Sequence, residues 1–247
     1  MQRSYYTKAI VLNLKQTGEN NNSVTLLTPD KGIIYATLYG GPKSKLRSLV
    51  AQWHSGTVWL YDNPEKKQTK ISDFEVTNYH TTFGQNLFKM YAASLAAELA
   101  IKTRCAGSSE QCHMLLQSFM DGMELCDEEQ SRLGLIRFLW RFLELMGVQP
   151  DASPSTAFAP DSISYYNRIE NCFMTTDGSE APAPYYFPVK LEAVRYLAAV
   201  SVLEPSEVRR IKIDRSVYEE LKGFVFFLLE SNLETELNSI KTGTGIL

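Results

Sequence analysis

A mixed α+β fold, with a small β-barrel ahead of a helical body, follows from three features of the sequence. The first 80 residues alternate apolar and polar positions in short runs separated by turn residues. After Tyr79 the apolar residues recur at helical spacing. Between residues 150 and 188, six of the chain's ten prolines interrupt both patterns.

The strands come in order. Lys8 to Lys15 alternates around Ile10, Leu12 and Leu14. Ser23 to Thr28 is rich in Val, Thr and Leu. Pro29-Asp30-Lys31-Gly32 is a turn: proline presets φ and glycine accepts a left-handed conformation. Ile33 to Tyr39 is the hairpin partner, closed by Gly40-Gly41-Pro42. Leu49 to Tyr61 and Lys70 to Tyr79 supply two further strands around Asp62-Asn63-Pro64. Five short antiparallel strands fit a closed barrel, which leaves no exposed edge. The OB-fold is the common form; an SH3-like barrel is the alternative.

Helices follow. Leu87, Phe88, Tyr91, Leu95 and Leu99 mark the first, and Met114, Leu115, Phe119 and Met123 the second. Asp127, Glu128 and Glu129 place negative charge at the start of a third, which runs through Trp140 to Met146. Gly147 is a left-handed cap and Pro150 forbids continuation. Helical spacing returns at Leu191 to Leu203 and in a last helix predicted to begin at Ser216, where Ser216 and Glu219 form a capping box. The tail at Thr242 to Gly245 is expected to fray. The chain thus divides into a barrel over residues 1–80 and a helical domain over 81–247, with an irregular insertion at about 150–188.

Composition narrows the function. The chain has 247 residues, 44% of them hydrophobic and 21% charged, enough to build real cores. The longest apolar run, Phe224 to Leu229, is far short of the roughly 18–20 residues that span a bilayer. The first residues lack the pattern of a secretory signal, so a cytoplasmic protein with four reduced cysteines is expected. Residues 1–80 carry ten Lys/Arg against six Asp/Glu, while residues 151–247 carry nine against fourteen. A basic front on an acidic body suits a polyanionic partner, or is ordinary solvated charge.

Little catalytic chemistry is visible. No phosphate loop, nucleophile elbow or paired metal-ligand motif occurs. Cys112 and His113 are neighbours, but adjacent helical positions point about 100° apart, so neither metal nor cofactor is expected. The default is a non-enzyme with no small-molecule substrate. The strongest candidate segment is Gly40-Gly41-Pro42-Lys43-Ser44-Lys45-Leu46-Arg47-Ser48. Lys43, Lys45 and Arg47 alternate, so an extended chain would present all three on one face. That face could track phosphates while Tyr39, or Tyr35, Trp53 or Trp59, stacks on bases; core packing is the plainer role for these rings. A second candidate is Arg132, Arg137 and Arg141 on the third helix. They could flank a groove for an acidic, apolar peptide, or form the charged edge of an amphipathic helix.

The order of segments resembles the bacterial RecO family of recombination mediators. Lys8-Ala9-Ile10-Val11-Leu12 is similar to its opening strand. Glu19, Val24-Thr25-Leu26-Leu27-Thr28 and Gly32 resemble the stretch that follows, and Gly40 through Lys43-Ser44-Lys45-Leu46-Arg47 its basic segment. Tyr91 with Glu98-Leu99, Phe142 to Asp151, and Leu237 to Lys241 resemble later landmarks. The resemblance implies an OB-fold, a helical body, binding and annealing of single- and double-stranded DNA, and loading of RecA recombinase. It implies RecR and the acidic C-terminal tail of single-strand-binding protein as partners, with no membrane role. Two departures matter. The family's cysteine pairs are absent, since Cys172 stands alone, so no zinc is expected. The basic loop is about two residues short, which bears on DNA affinity. A protein-interaction scaffold without DNA binding is the competing reading.

Overall fold

The structure is a computed structural model that describes residues 4–41, 44–160, 162–176, 185–233 and 235–247. The strands β1 (Ser4–Thr17), β2 (Asn21–Thr28), β3 (Gly32–Tyr39), β4 (Ser55–Asn63) and β5 (Gln68–Asn78) close a barrel in the order β1-β2-β3-β5-β4. All neighbours are antiparallel except β3 and β5, which pair in parallel through Ala36–Thr69 and Thr37–Lys70. This is the OB arrangement. Inward positions alternate as the pleat requires at Ala9 and Val11, Val24 and Leu26, Ala36 and Leu38, and Val58 and Leu60; on β5 a register shift sets Ile71 and Phe74 three residues apart, and all ten belong to one buried cluster. Gly32 ends the β2–β3 turn at φ +66°, and a Cβ there would lie 2.6 Å from Ser109 Oγ. Glycine is needed both for the turn and for the close approach.

A short helix, α1 (Lys45–Leu49), lies between β3 and β4. Its Leu46 and Leu49 pack against the barrel core. The segment expected to be extended is therefore helical, because two leucines three residues apart reach the core together only on a helix. The strand expected from Leu49 begins only at Ser55; Trp53 stands before it at φ 68°.

Helices α2 (Leu87–Lys102), α3 (Ser109–Leu125) and α4 (Glu128–Leu145) follow. Asn86 caps α2 by accepting from the Lys89 N–H. Gly147, at φ +73°, follows α4 as expected. The insertion contains an antiparallel sheet of β6 (Ile163–Asn167), β7 (Cys172–Thr176) and β8 (Tyr186–Pro188), with β6 central. The last elements are α5 (Leu191–Val202), α6 (Pro205–Val208), α7 (Arg215–Asn232) and α8 (Asn238–Thr242). The cap of α7 is Asp214, which accepts from the Val217 N–H, not Ser216. The capping box lies instead between Glu204 and Glu207 of α6.

By packing, the chain forms two compact units, Met1–Gly134 with Leu237–Leu247, and Leu135–Glu236. The first unit joins the barrel to α2, α3 and the chain's last residues. There Glu98 accepts hydrogen bonds from the Asn238 and Ser239 N–H groups and the Ser239 hydroxyl at 2.7–2.9 Å. Leu247 is buried. The tail expected to fray is thus docked. In the second unit Tyr166, Phe173 and Phe187 of the sheet pack around Phe224 of α7, with ring centroids 5.3–5.7 Å apart. Among the described residues no helix is long and apolar enough to cross a membrane.

Candidate nucleic-acid interface

The outward positions of the barrel strands differ sharply around its circumference. On β1 and β2, Ile10 and Leu27 are fully buried, and α2 and α3 pack against these strands. On β3 the outward Tyr35 and Tyr39 are 64% and 40% exposed. Parallel pairing with β5 sets Gln68 and Lys70 beside them. Gln68 Nε2 donates to Thr37 Oγ1 at 2.9 Å, and Lys70 Nζ lies 5.5 Å from the Tyr39 ring centroid. Further round, Tyr6 of β1 is exposed, and its ring lies 6.2 Å from that of Trp59 on β4. Aromatic rings interleaved with lysines suit stacked bases and a phosphate backbone.

The segment after β3 places its cations unevenly. Lys43 lies outside the described residues. Lys45 is exposed, while Arg47 is half-buried with Nη1 3.4 Å from the Gly40 carbonyl. Two residues apart on a helix, they point about 200° apart. The expected single basic face is therefore not formed by this pair. Of the other stacking candidates, Trp53 packs edge-on against Phe83 at 5.9 Å, with its indole N–H buried and unpartnered among the described residues.

Two grooves flank the barrel wall. One, of about 560 Å³, sits at the end where the β2–β3 and β4–β5 turns meet, and includes Tyr5, Lys31, Tyr35 and Lys67. Lys31 Nζ lies 3.4 Å from the Tyr5 ring centroid. The other, of about 570 Å³, runs along α3 past Lys8, Glu110 and His113. Burial, reinforced by the nearby Lys8, holds the His113 imidazole below its ordinary value. Its neighbour Cys112 is a free thiol hydrogen-bonded with the free thiol of Cys105, and this hydrogen bond and burial push the Cys112 thiol far up. Among the described residues no group of three His, Cys, Asp or Glu is placed to hold a metal.

The three arginines of α4 fall in different packing units, Arg132 in the first and Arg137 and Arg141 in the second. Arg132 pairs with Glu128 at 2.8 Å, donates to the Ile246 carbonyl and stacks on Phe88. These contacts tie the start of α4 to α2 and to the chain's last residues within the first unit. Arg137 and Arg141 belong to the second unit and share a face one turn apart. Both lie near Tyr196, whose hydroxyl is buried without a partner among the described residues. Burial raises the Tyr196 phenol, and the two guanidinium groups oppose that rise. Arg141 Nη2 also reaches the Val200 carbonyl at 3.4 Å.

Lys31, Lys67 and Lys70, which stand beside the exposed rings or line the groove near them, were not singled out by sequence reasoning. Lys70 stands on the outward phase of β5, a signal readable from its neighbour Ile71. Its place beside Tyr39 depends on the parallel β3–β5 pairing, which has no local signature.

A closed OB barrel with one bare aromatic and basic face, followed by a helical region, defines the class: an OB-fold protein with a helical extension. The chain belongs to the recombination protein O family. Family models described as recombination protein O N terminal and C terminal match residues 1–80 and 84–241. Two relatives, each named DNA repair protein RecO, come from Synechococcus elongatus and a second Synechococcus strain. Each is 31% identical over 103 residues, which cover 41% of this chain and 38% of the relative. The match thus spans less than two-fifths of those proteins.

Proposed function

We propose that this protein binds DNA through the bare face of its barrel and acts in DNA repair and recombination as a mediator without catalytic activity. In this reading it anneals complementary strands in the cytoplasm and helps load recombinase onto single strands coated by single-strand-binding protein, with RecR as a further partner. The observation that carries it is the exposed Tyr39 ring with Lys70 beside it, at the edge of the β3–β5 pair. A base can stack on the ring while the ammonium meets a phosphate. Family membership supports the same reading. The test is fluorescence anisotropy with a labelled single strand. Tyr39→Ala combined with Lys70→Ala should weaken binding about tenfold, given roughly 1–3 kcal/mol per stacked base. Wild-type affinity in the folded double variant would remove this face from the interface.

The acidic tail of single-strand-binding protein is assigned to Arg137 and Arg141, beside the Tyr196 hydroxyl, which has no partner among the described residues. Charge-assisted bonds from guanidinium to carboxylate are the strong kind. Changing both arginines to Glu should weaken a tail peptide about tenfold or more while binding to naked DNA persists. One feature favours the competing scaffold reading: Arg47 turns towards its own backbone carbonyl at Gly40 and is half-buried. Retention of peptide binding in a wild-type protein that binds no DNA would select that reading.

A further inference from the structure

We propose that Cys105 and Cys112, where α2 connects to α3, form a modification site: a dithiol that a hydroperoxide closes to an internal disulfide, with Cys105 as the attacking sulfur and Cys112 as the resolving one. The inference is independent of the DNA-binding reading above, and its test involves no DNA.

Three observations carry it. First, the two thiols are free and buried, and they hydrogen-bond to each other, so their sulfurs are already in contact. Second, the backbone holds Cys105 in a strained turn. Arg104, Cys105 and Ala106 take φ of 50°, 63° and 48°, three successive non-glycine residues in the left-handed region. Such strain persists where the surroundings impose it, and it gathers at functional sites. Thr103 Oγ1 accepts from the Ala106 N–H at 3.2 Å, and the Cys105 carbonyl accepts from the Ser108 N–H at 3.0 Å. The turn thereby presents the Cys105 sulfur to Ser109 and Cys112 in the first turn of α3. Third, the two sulfurs are not equivalent. Cys105 accepts from the Cys112 thiol and from the Ser109 hydroxyl, and these bonds hold its thiol below the ordinary value against the effect of burial. The same contact and burial push Cys112 up. Cys105 also lies just beneath the surface, since Arg104 and Gly107 on either side of it are exposed.

The thiolate is the reactive form of cysteine, so the lowered thiol attacks first. The Cys105 sulfur takes the terminal oxygen of the hydroperoxide. The O–O bond breaks, an S–O bond forms, and the alkoxide leaves with the proton that Cys105 gave up, as an alcohol. Cys105 is then a sulfenic acid, which condenses with a thiol. The Cys112 sulfur attacks it. The S–S bond forms, the S–O bond breaks, and hydroxide leaves with the Cys112 proton as water. The two thiols lose two electrons and two protons, and the hydroperoxide is reduced to one alcohol and one water. A thiol reductant reverses the change by exchange through a mixed disulfide.

The test treats the folded, reduced wild-type chain with hydrogen peroxide, blocks the remaining thiols under denaturing conditions, and maps the cysteines by mass spectrometry without reduction. Cleavage after glutamate suits the mapping, because Glu110 and Glu124 separate Cys105, Cys112 and Cys126. The 105–112 disulfide should form first and disappear with dithiothreitol. Cys172, half-buried but with its thiol raised by burial and by Glu170, should be oxidised about tenfold more slowly. In Cys112→Ala the sulfenic acid should persist on Cys105 and be trapped by dimedone. In Cys105→Ala, Cys112 should give no adduct. Where an alanine variant fails to fold, the wild-type map decides alone. Oxidation of Cys126 or Cys172 ahead of the pair, or a pair left as thiols by the peroxide, would overturn the site and mark both as inert core residues. Equal dimedone adducts in the two variants would overturn the division into attacking and resolving sulfurs.

Discussion

The barrel carries two outer surfaces built by the same alternation, and they meet opposite fates. On β1 and β2 the outward Ile10 and Leu27 vanish beneath the helices that pack there, and are as buried as the barrel's interior. On β3 and the start of β1 the outward Tyr35, Tyr39 and Tyr6 stay open. The chemistry of the residues matches their fate. Aliphatic side chains occupy the covered surface, where full burial rewards them. Rings with hydroxyl tips, and lysines, occupy the bare one, where one edge must remain wet. An outward apolar residue on a barrel strand is thus neither core nor site until the downstream helices decide what they cover.

The sharpest way to break this contrast is to truncate one residue from each surface. Leu27→Ala should cost about 2–5 kcal/mol of stability, the usual loss for a fully buried leucine. Tyr35→Ala and Tyr39→Ala should stay within about 0.5 kcal/mol, as exposed positions do. Urea unfolding of the three variants decides it. Comparable losses at Leu27 and Tyr35 would mean that the second surface is also covered.

A somewhat smaller effect should come from the clamp on the covering layer. Glu98 of α2 holds the start of α8 and with it the segment that runs on to Leu247. Burial alone would raise its carboxyl. The bonds from Lys102, Ser239 and Asn238 outweigh this and hold it below the ordinary value near 4.5. A carboxylate lowered by folding contributes stability that is fully present above its unfolded value and lost as pH falls through the folded one. Hydrogen-exchange protection over residues 237–247 should therefore hold at neutral pH and fall below about pH 4.5. Glu98→Gln should lose roughly 1–3 kcal/mol of that protection at pH 7 and flatten its acid dependence. Protection in the variant equal to wild type at both pH values would show that the tail is held by its apolar contacts alone.

How far this contrast could be read from the sequence depends on the range of the contacts. Ile34, Ala36 and Leu38 set against Tyr35, Thr37 and Tyr39 announce β3 and its two faces locally. Pro29 to Gly32 announces the turn. Asp214 and Ser216 are both good caps, and the choice falls to the phase of Val217, Leu221, Phe224 and Leu228, which must face the core together. In α1, Lys45 and Arg47 satisfy a strand's alternation, while Leu46 and Leu49 satisfy a helix's spacing. Only the barrel core, absent from any local window, settles it. Arg132 looked like a partner of Arg137 and Arg141 because they share a helix. Besides Glu128 one turn away, its neighbours Phe88 and Ile246 are remote in sequence. The candidate interface is legible in its rings and obscure in its cations, since Lys31 and Lys70 are placed beside the Tyr5 and Tyr39 rings only by the fold.

The smallest expected effect tests the edge of the bare surface, where α1 leaves Lys45 exposed and turns Arg47 towards Gly40. A cation that neutralises a phosphate releases counterions, so each lost contact on a single strand should reduce the salt slope of binding by about 0.7. Lys45→Ala should show that change with only a modest loss of affinity. Arg47→Ala should show little change in slope, because its guanidinium already faces a backbone carbonyl and is half removed from solvent. It should instead lower the melting temperature slightly, through the lost contact and the lost packing of its stem. Binding isotherms at several salt concentrations, with melting curves on the same samples, separate the two residues. If Arg47→Ala carries the larger slope change, the guanidinium leaves Gly40 when DNA binds, and the bare surface extends over α1 to both cations. If neither variant alters the slope, the DNA path stops at Tyr39 and Lys70, and α1 serves only to close the barrel end through Leu46 and Leu49.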